Sequence, residues 1–405
     1  MDQLLAYAGD WLHLIIRWLH VAAAIAWVGA SFYFIALDQS LRAPRRSGAE
    51  AEGVGGEAWE IHGGGFYRVE KYRVAPRTLP APLAWFKWEA YTTWLTGFAL
   101  MVLLYYVDPT QYLIAPGDTR FQGWELVVAS LAIIIFGWLA YDTLSRSLAA
   151  NERALTVALV VLTVVVAAIS GYLFSPRGAF IQVGATLGTW MAANVFFTII
   201  PGQRALVAAT AAGRDPDPRS SGPGIRGKQR SVHNNYLTLP VLFAMISQHF
   251  PFTYGHDNSW LVLLAFMGLG ALVRHIFNLR HQLNRGRDIR RVAVAVVAGG
   301  VVLIVVLAPA PRGAAGLTAA DFPAVAKVFE ARCVTCHSSH PTRPGIEAAP
   351  KGVMFDTQAQ IVANANRAYE QVVVTKAMPL GNVTGMTDAE RDLIGRWVRS
   401  GAPAP

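Results

Sequence analysis

Residues 154–174 read ALTVALVVLTVVVAAISGYLF and contain no charged side chain. A run of this length and apolarity predicts a helix that crosses a lipid bilayer. Seven further segments are mostly apolar and of comparable length, so the sequence predicts an all-α, polytopic membrane protein with eight transmembrane helices. The predicted spans are 11–36, 83–107, 122–142, 154–174, 179–200, 236–252, 258–279 and 290–308.

The composition agrees with a membrane protein. Hydrophobic residues make up 53% of the chain and charged residues 15%, whereas soluble domains carry about 25% charged residues. The net charge of +9 could indicate nucleic acid, but from residue 313 onward nine Lys and Arg nearly balance eight Asp and Glu. The basic excess therefore lies in loops between apolar segments. This distribution indicates a lipid bilayer, and no nucleic acid, as partner.

The charges of the loops predict the orientation. Lys and Arg are concentrated in every second connection, namely 37–82, 143–153, 201–235 and 280–289. The alternate connections, 108–121, 175–178 and 253–257, contain only Arg120 and Arg177. Because cytoplasmic loops carry the excess of Lys and Arg, the first set is predicted to be cytoplasmic. Eight spans then place both termini in the periplasm of a bacterium, with the chain in the inner membrane.

The only two cysteines occur in Cys333-Val334-Thr335-Cys336-His337. The spacing C-x-x-C-H is typical of a c-type haem, with Cys333 and Cys336 bonded to the haem and His337 as a ligand of its iron. A redox disulfide and half of a zinc site are alternatives, but a zinc site needs two more ligands and no second C-x-x-C exists. Assembly of haem c needs an oxidising compartment. The motif therefore also predicts a periplasmic C-terminus.

A small domain is predicted around this motif. Residues 309–317 form a Pro/Gly/Ala-rich linker between a membrane domain, 1–308, and a class I cytochrome c domain, 318–405. One helix is predicted near 321–332. Another begins at the capping box Thr387-Asp388-Ala389-Glu390.

The second iron ligand is predicted to be Met378. It lies in a Met-Pro step before the last helix, where class I cytochromes c carry this ligand, and a thioether would raise the haem potential. The competing ligands are Met354, Met386 and His340. Among these, Met386 at the helix start is predicted to be a packing residue.

Ionisable residues within spans are costly and suggest function. His13, Arg17 and His20 share one helical face of the first span. His249 ends the sixth span, and His275 lies near the cytoplasmic end of the seventh. We interpret His20, His13, His249 and His275 as candidate ligands of one or two b-type haems. The alternative is a set of interfacial histidines and snorkelling arginines.

Two polar and aromatic segments precede the second and sixth spans on the cytoplasmic side. The first runs from Trp59-Glu60-Ile61-His62-Gly63-Gly64-Gly65-Phe66-Tyr67 to Trp85-Phe86-Lys87-Trp88-Glu89-Ala90-Tyr91, and the second is Ser231-Val232-His233-Asn234-Asn235-Tyr236. Glycines permit close approach of the backbone to a ligand. Asn and Tyr can form directional hydrogen bonds to a planar molecule. These segments predict a pocket at the inner membrane face, and a membrane-surface loop with an aromatic belt and a flexible Gly turn is the alternative.

The chain resembles the bacterial membrane-bound cytochrome c urate oxidases, also called urate hydroxylases. The resemblance covers essentially the whole chain. It rests on the two segments above, on Trp18-Leu19-His20-Val21 with Ala26-Trp27-Val28-Gly29, on Leu239-Pro240-Val241-Leu242-Phe243, and on the haem motif with Met378-Pro379. The haem motif alone is generic. Its fusion to eight spans carrying these segments is specific.

The resemblance implies an oxidoreductase that converts urate to 5-hydroxyisourate. Electrons would leave through haem c to a respiratory acceptor, either a cytochrome or a terminal oxidase, and no hydrogen peroxide would form. We expect Lys71, Lys87 or Arg73 to hold the urate anion and His62 or Glu89 to act as the base. The residues expected to line the pocket are Gly64, Phe66, Tyr67, Trp88, Asn234, Asn235 and Tyr236.

The position of the pocket and the function of the chain both have alternatives. A pocket at the cytoplasmic face would be separated by the bilayer from a periplasmic haem c, so the electrons would need relay centres such as b-type haems. An outer pocket around His13, Arg17, His20 and His249 would need at most one relay centre. A chain that only transfers electrons, without a small-molecule substrate of its own, is the second functional hypothesis. A redox-gated transporter or channel is the third.

Overall fold

The computed structural model describes residues 2–115, 118–214, 222–256, 258–280, 289–308 and 316–405, so most of the predicted linker, 309–317, lies outside the described residues. The protein is mostly helical. Its α-helices in chain order are α1 Asp2–Ser40, α2 Trp88–Met101, α3 Pro109–Tyr112, α4 Gly123–Ser147, α5 Glu152–Leu173, α6 Pro176–Asn194, α7 Ile200–Ala211, α8 Gly222–Ile246, α9 Pro251–Tyr254, α10 Ser259–Arg280, α11 Arg290–Val306, α12 Phe322–Arg332, α13 Gln358–Ala363, α14 Ala365–Ala368 and α15 Asp388–Arg399. Short π-helical segments extend three of them, at Val102–Tyr106 after α2, Val195–Ile199 after α6 and Tyr369–Val374 after α14.

Five helical stretches in the described part of the chain are long and apolar enough to cross a membrane. They are Tyr7–Ser40, Gly123–Ser147, Glu152–Leu173, Pro176–Ala211 and Ser259–Leu279. The other three predicted spans are also helical, within α2 and its extension, α8 and α11. These three are shorter or more polar; α11, with 17 residues, extends about 25 Å. Five membrane-crossing helices are therefore supported, and a total of eight stays a prediction.

The segment before α2 is a β-hairpin, which corrects the all-α prediction. Strands β1 Val54–His62 and β2 Gly65–Tyr72 pair antiparallel, with His62 opposite Gly65. The turn residues Gly63 and Gly64 both have positive φ, 57° and 80°. Two-residue hairpin turns that match the strand twist need this backbone conformation, which glycine adopts without steric cost. The glycine run thus forms a turn, as the alternative to the pocket, an aromatic belt with a Gly turn, predicted.

Helix α6 is the centre of the membrane domain. It packs against α2, α4, α5, α8 and α10. Its buried side chains include Phe180, Gln182, Trp190 and Asn194, each exposed by 1% or less. Helix α1, by contrast, packs mainly on α2 and leaves Trp18 75% exposed. Its outward apolar face fits contact with lipid.

A second buried core lies within residues 316–405, which we call the C-terminal module. Phe329, Trp397 and Cys333 belong to this core, and Met386 packs there as predicted. Helix α15 begins at the predicted capping box, where the Thr387 side chain accepts from the Glu390 backbone N–H and the Glu390 carboxylate accepts from the Thr387 N–H.

The module lies at one end of the membrane domain. It contacts α3 and α9, which belong to the connections with few basic residues. We call this the module end, and the opposite end, which carries β1 and β2, the hairpin end. The module therefore lies on the side of the connections with few basic residues, opposite the basic loops.

The hairpin turn generates a test. We expect Gly64→Ala to destabilise the hairpin by about 1–2 kcal/mol, because an L-residue is strained at its φ of 80°. Gly65→Ala is the matched control, since a Cβ at Gly65 would make only ordinary contacts, 3.5 Å from Tyr67 Cε2. Amide hydrogen exchange of β1 and β2 measures the difference. Equal exchange in the two variants would contradict this turn geometry.

Candidate functional site

The C-x-x-C-H motif begins where α12 ends. The backbone N–H groups of Cys336 and His337 donate to the Cys333 carbonyl, at 3.1 and 2.8 Å. The His337 ring is oriented by a hydrogen bond of 2.9 Å from Nδ1 to the Val353 carbonyl. Because a carbonyl only accepts, Nδ1 carries the hydrogen and Nε2 has the free lone pair that binds a metal. This arrangement fits an axial ligand.

The two cysteines are not joined in a disulfide. Burial raises the pKa of the Cys333 thiol to about 12. A neutral thiol is a poor nucleophile, so Cys333 is not suited to be the attacking thiol of a redox pair.

Met378 packs against the same core as Cys333. Its backbone carbonyl accepts a hydrogen bond of 2.7 Å from the Arg391 guanidinium, which also donates to the Val372 carbonyl. Arg391 is 4% exposed, and this burial lowers the pKa of its guanidinium. Of the competing ligands, His340 is exposed and Met386 is enclosed by the core. The residues of the module therefore fit a haem c bound through Cys333, Cys336, His337 and Met378.

The predicted substrate residues of the hairpin lie at its exposed end. His62 and Gly64 form the tip, and Phe66 and Tyr67 are 79% and 53% exposed. Lys71 forms an ion pair with Asp38 of α1. Arg73, where β2 ends, is exposed as well. In the residues that the structure describes, no hydrogen bond or ion pair joins these side chains to Asn234, Asn235 or Tyr236.

The predicted residues before and in α2 differ in their environment. The Lys87 ammonium lies 5.4 Å from the centroid of the Trp88 ring, and Trp88 is 66% exposed. Glu89, in the first turn of α2, has a buried Oε2 without a hydrogen-bond partner. Tyr91 contacts Phe196, with ring centroids 5.5 Å apart, so the start of α2 packs on the segment that follows Asn194.

A buried polar cluster surrounds Tyr141. Its hydroxyl forms a hydrogen bond of 2.8 Å with Nδ1 of His233. The Asn194 amide donates to this hydroxyl, at 2.7 Å, and to Asn234 Oδ1, at 2.9 Å. Asn234 in turn donates to the Met191 carbonyl, at 3.0 Å. These bonds join α4, α6 and α8.

Arg230 and Trp190 complete this group. The Arg230 guanidinium pairs with Asp142, at 2.7 Å, and lies 4.9 Å from the Tyr141 ring centroid. The indole of Trp190 stacks on Tyr141, with centroids 4.8 Å apart. The group forms what we call the Tyr141 cluster: Tyr141, Asp142, Trp190, Asn194, Arg230, His233 and Asn234.

Three members of the Tyr141 cluster have polar atoms without a partner. They are Arg230 Nη1, Trp190 Nε1 and Asn194 Oδ1, on side chains that are at most 1% exposed. Leaving such groups unsatisfied costs about 1–3 kcal/mol each. Buried polar atoms almost always have a partner, either protein or water. Two donors and one acceptor are thus available in a buried place for a ligand or for water.

A second cluster lies beside it around Arg274. This guanidinium donates to Asn235 Oδ1 and to the Ser31 carbonyl, and lies 3.4 Å from the centroid of the Phe32 ring. Asn235 donates to Asn278, at 3.2 Å. The next residue, Tyr236, bonds through its hydroxyl to Nδ1 of His275, at 2.7 Å. The predicted substrate residues Asn234 and Asn235 thus belong to two adjacent buried networks, whereas Tyr236 forms a half-buried pair with His275.

The buried unpartnered atoms gather at the hairpin end. In the described part of the chain they include Gln39 Oε1 and Glu89 Oε2, at the ends of α1 and α2 there, and Ser145 Oγ, Trp190 Nε1, Asn194 Oδ1, Thr198 Oγ1 and Arg230 Nη1, within α4, the continuous helix 176–211 and α8. His13 Nε2 and Ser170 Oγ are nearer the module end. This distribution favours a ligand site at the hairpin end over an outer pocket around His13, Arg17, His20 and His249.

The histidines proposed as b-haem ligands are in different environments. His20 bonds through Nδ1 to the Thr93 carbonyl, at 3.0 Å, and packs against Gly97, where a Cβ would come within 2.9 Å of its ring. As for His337, this bond leaves Nε2 free for a metal. His275 bonds to Tyr236, and His249 is exposed.

Sequence reasoning missed Tyr141, Asp142, Asn194 and Arg230. Asn194 had a detectable signal, because it is a polar residue within the apolar segment 179–200. Arg230 was counted only as a loop charge. Nothing local in the sequence indicates that Tyr141 contacts His233.

A family model described as urate oxidase N-terminal matches residues 6–308. The match covers the whole membrane domain and therefore both buried polar clusters. No curated protein and no solved structure matches the chain.

The Tyr141 hydroxyl provides a test of the cluster. We expect Tyr141→Phe to lower the free energy of unfolding by about 1–3 kcal/mol, because the amide of Asn194 and the ring of His233 each lose a buried partner. Tyr7→Phe is the control, since Tyr7 is 61% exposed. Thermal unfolding of the detergent-solubilised protein measures both. An equal midpoint for the two variants would contradict the network.

Proposed function

Because the chain belongs to the urate oxidase N-terminal family, we propose that it oxidises urate to 5-hydroxyisourate within the membrane domain. The electrons pass to a haem c in the C-terminal module and on to a respiratory acceptor, without formation of hydrogen peroxide. The observation that carries this proposal is the set of unpartnered donors and acceptors in the Tyr141 cluster, inside the matched region.

The chemistry of this cluster suits urate. Urate is planar and anionic, and its rim carries both carbonyl oxygens and N–H groups. Arg230 and Trp190 would donate to carbonyl oxygens, and Asn194 would accept from a ring N–H. Arg230 would also balance the negative charge. Its guanidinium is buried and held by Asp142, whereas Lys71 and Arg73 are exposed.

The reaction needs a base. Urate and water give 5-hydroxyisourate, two protons and two electrons, so the attacking water must lose a proton. Glu89 has a buried, unpartnered carboxylate oxygen at the hairpin end, and the next residue, Ala90, packs with Val195 beside Asn194. His62 lies at the exposed tip of the hairpin. We therefore assign the role of base to Glu89 rather than to His62.

The C-terminal module would take up the electrons. Cys333 and Cys336 would hold the haem, and His337 and Met378 would bind its iron. A bound haem c supplies a centre that accepts one electron at a time. The core around Trp397 and Phe329 excludes water from its surroundings.

The electrons must cross most of the membrane domain. Along α6, Asn194 at the hairpin end and Pro176 at the module end are separated by about 27 Å, at 1.5 Å per residue. His20 packs on Thr93 and Gly97, roughly midway along α2 and its extension. A b-type haem bound through Nε2 of His20 would provide a relay at mid-depth.

The relay makes a spectroscopic prediction. We expect a pyridine haemochrome spectrum of the purified protein to contain b-type haem in addition to haem c. His20→Ala should remove the b-type contribution and leave the covalent haem, seen by haem staining of a denaturing gel, unchanged. His340→Ala, on an exposed residue of the module, is the control. A spectrum with haem c alone would rule out the relay.

Urate oxidation is tested by adding urate to the oxidised protein without oxygen. We expect urate to reduce haem c, and Glu89→Gln to slow this reduction by at least about a hundredfold, the usual effect of losing a general base. His62→Ala should leave the rate near that of the unmodified chain. Both variants should keep the haem c spectrum. If urate leaves haem c oxidised, a chain that only transfers electrons becomes the better hypothesis.

A further inference from the structure

The C-terminal module meets the membrane domain at two places. The turn Leu380–Asn382 lies against α3; a Cβ built on Gly381 would be 3.4 Å from the Thr110 carbonyl oxygen. The π-helical segment Tyr369–Val374 lies against α9; a Cβ at Gly255 would be 2.7 Å from Val374 Cγ1 and 3.1 Å from Thr375 Cγ2. Glycines at both contacts allow the two backbones to approach closely.

The two contacts flank Met378. Segment 369–374 precedes this residue and Leu380–Asn382 follows it. The buried Arg391 guanidinium bonds to the carbonyls of Val372 and Met378, and the Met378 N–H donates to the Gln371 carbonyl, at 2.9 Å. The stretch from 369 to 382, which we call the Met378 loop, is therefore fixed to α15 as one unit.

Near the Met378 loop, side chains of the membrane domain are held by contacts with one another. The Arg177 guanidinium donates to Gln248 and lies 4.0 Å from the Tyr112 ring centroid. The Tyr105 hydroxyl donates to the same Gln248 oxygen, at 2.9 Å. Burial raises the pKa of the Tyr254 hydroxyl; the carboxylate of Glu370 adds to the rise and Arg177 opposes it. Glu370 of the module and Arg177 of the membrane domain thus both lie near Tyr254.

We propose that the Met378 loop is the surface through which the module stays docked on α3 and α9, and that electrons enter the module through this face. The module then acts as a fixed acceptor and not as a carrier that swings on its linker. The docking itself rests on the contacts above. Only the route of the electrons rests on the proposed function.

A disulfide tests the docking. Gly381→Cys with Thr110→Cys should cross-link under mild oxidation, because a Cβ at Gly381 would lie 3.8 Å from Thr110 Oγ1 and make only ordinary contacts. With a protease site inserted in 309–317, the two fragments should stay joined on a non-reducing gel. Glu330→Cys with Thr110→Cys is the control pair, since Glu330 is exposed on α12 and should not cross-link. Equal cross-linking of the two pairs, or none, would overturn the docking.

The electron route is tested on the same protein. Urate should reduce haem c in the cross-linked protein as fast as in the unmodified chain, and loss of reduction on cross-linking would overturn the fixed acceptor.

Gly255→Leu should push Val374 away and slow reduction by urate at least tenfold, whereas Gly268→Leu, where the added Cβ would meet nothing within 4 Å, should not. An unchanged rate in Gly255→Leu would also overturn the route.

Two readouts separate undocking from damage to the haem site. Reduction by dithionite and the charge-transfer band of methionine-ligated iron should be the same in Gly255→Leu as in the unmodified chain. If urate reduces haem c in no variant, including the unmodified chain, the proposed function fails. The disulfide yield then still decides whether the module is docked.

Discussion

The arrangement of the membrane domain depends on the pairing of polar side chains that lipid cannot satisfy. Helix α6 brings two such residues into its apolar surroundings. Gln182 exchanges hydrogen bonds with Ser130 of α4, and Asn194 binds Tyr141 of α4 and Asn234 of α8. Because an unpaired amide in this environment costs about 1–3 kcal/mol, these bonds favour α4 and α8 as neighbours of α6. Apolar packing alone would tolerate other helix orders.

The same requirement distinguishes the two ends of the domain. At the module end, Arg177, Gln248 and Tyr105 satisfy one another, and the nearby helices α3 and α9 contact the C-terminal module. At the hairpin end, pairing is incomplete around Asn194 and Arg230. Incomplete pairing of buried groups is typical of a place that receives a ligand or water. One end is thus suited to hold a partner domain and the other to hold a substrate.

In the proposed function, this division separates the site of urate oxidation from the site where the electrons leave. A hydrophilic anion such as urate would be taken up at the end with basic loops, whereas the C-terminal module, which we propose holds the haem, lies at the other end. In the proposed reaction the electrons would then travel a long path through the helices, and His20, an ionisable residue between α1 and α2, lies between the two ends. The hairpin, although rich in aromatic residues, lies outside this path and exposes its tip.

Local patterns in the sequence determined the helical segments, the alternation of basic loops, the capping box at Thr387 and the C-x-x-C-H motif, because each depends on residues close in the chain. The glycines also indicated the turn at Gly63 and Gly64, but not that the residues on either side form two paired strands. Tertiary structure alone decided that Tyr141 meets His233, 92 residues away, and that one carboxylate oxygen of Glu89 is buried while His62 is exposed. The hydropathy of apolar helices is compatible with many different pairings between them. Only their packing decides which polar groups are paired and which remain available.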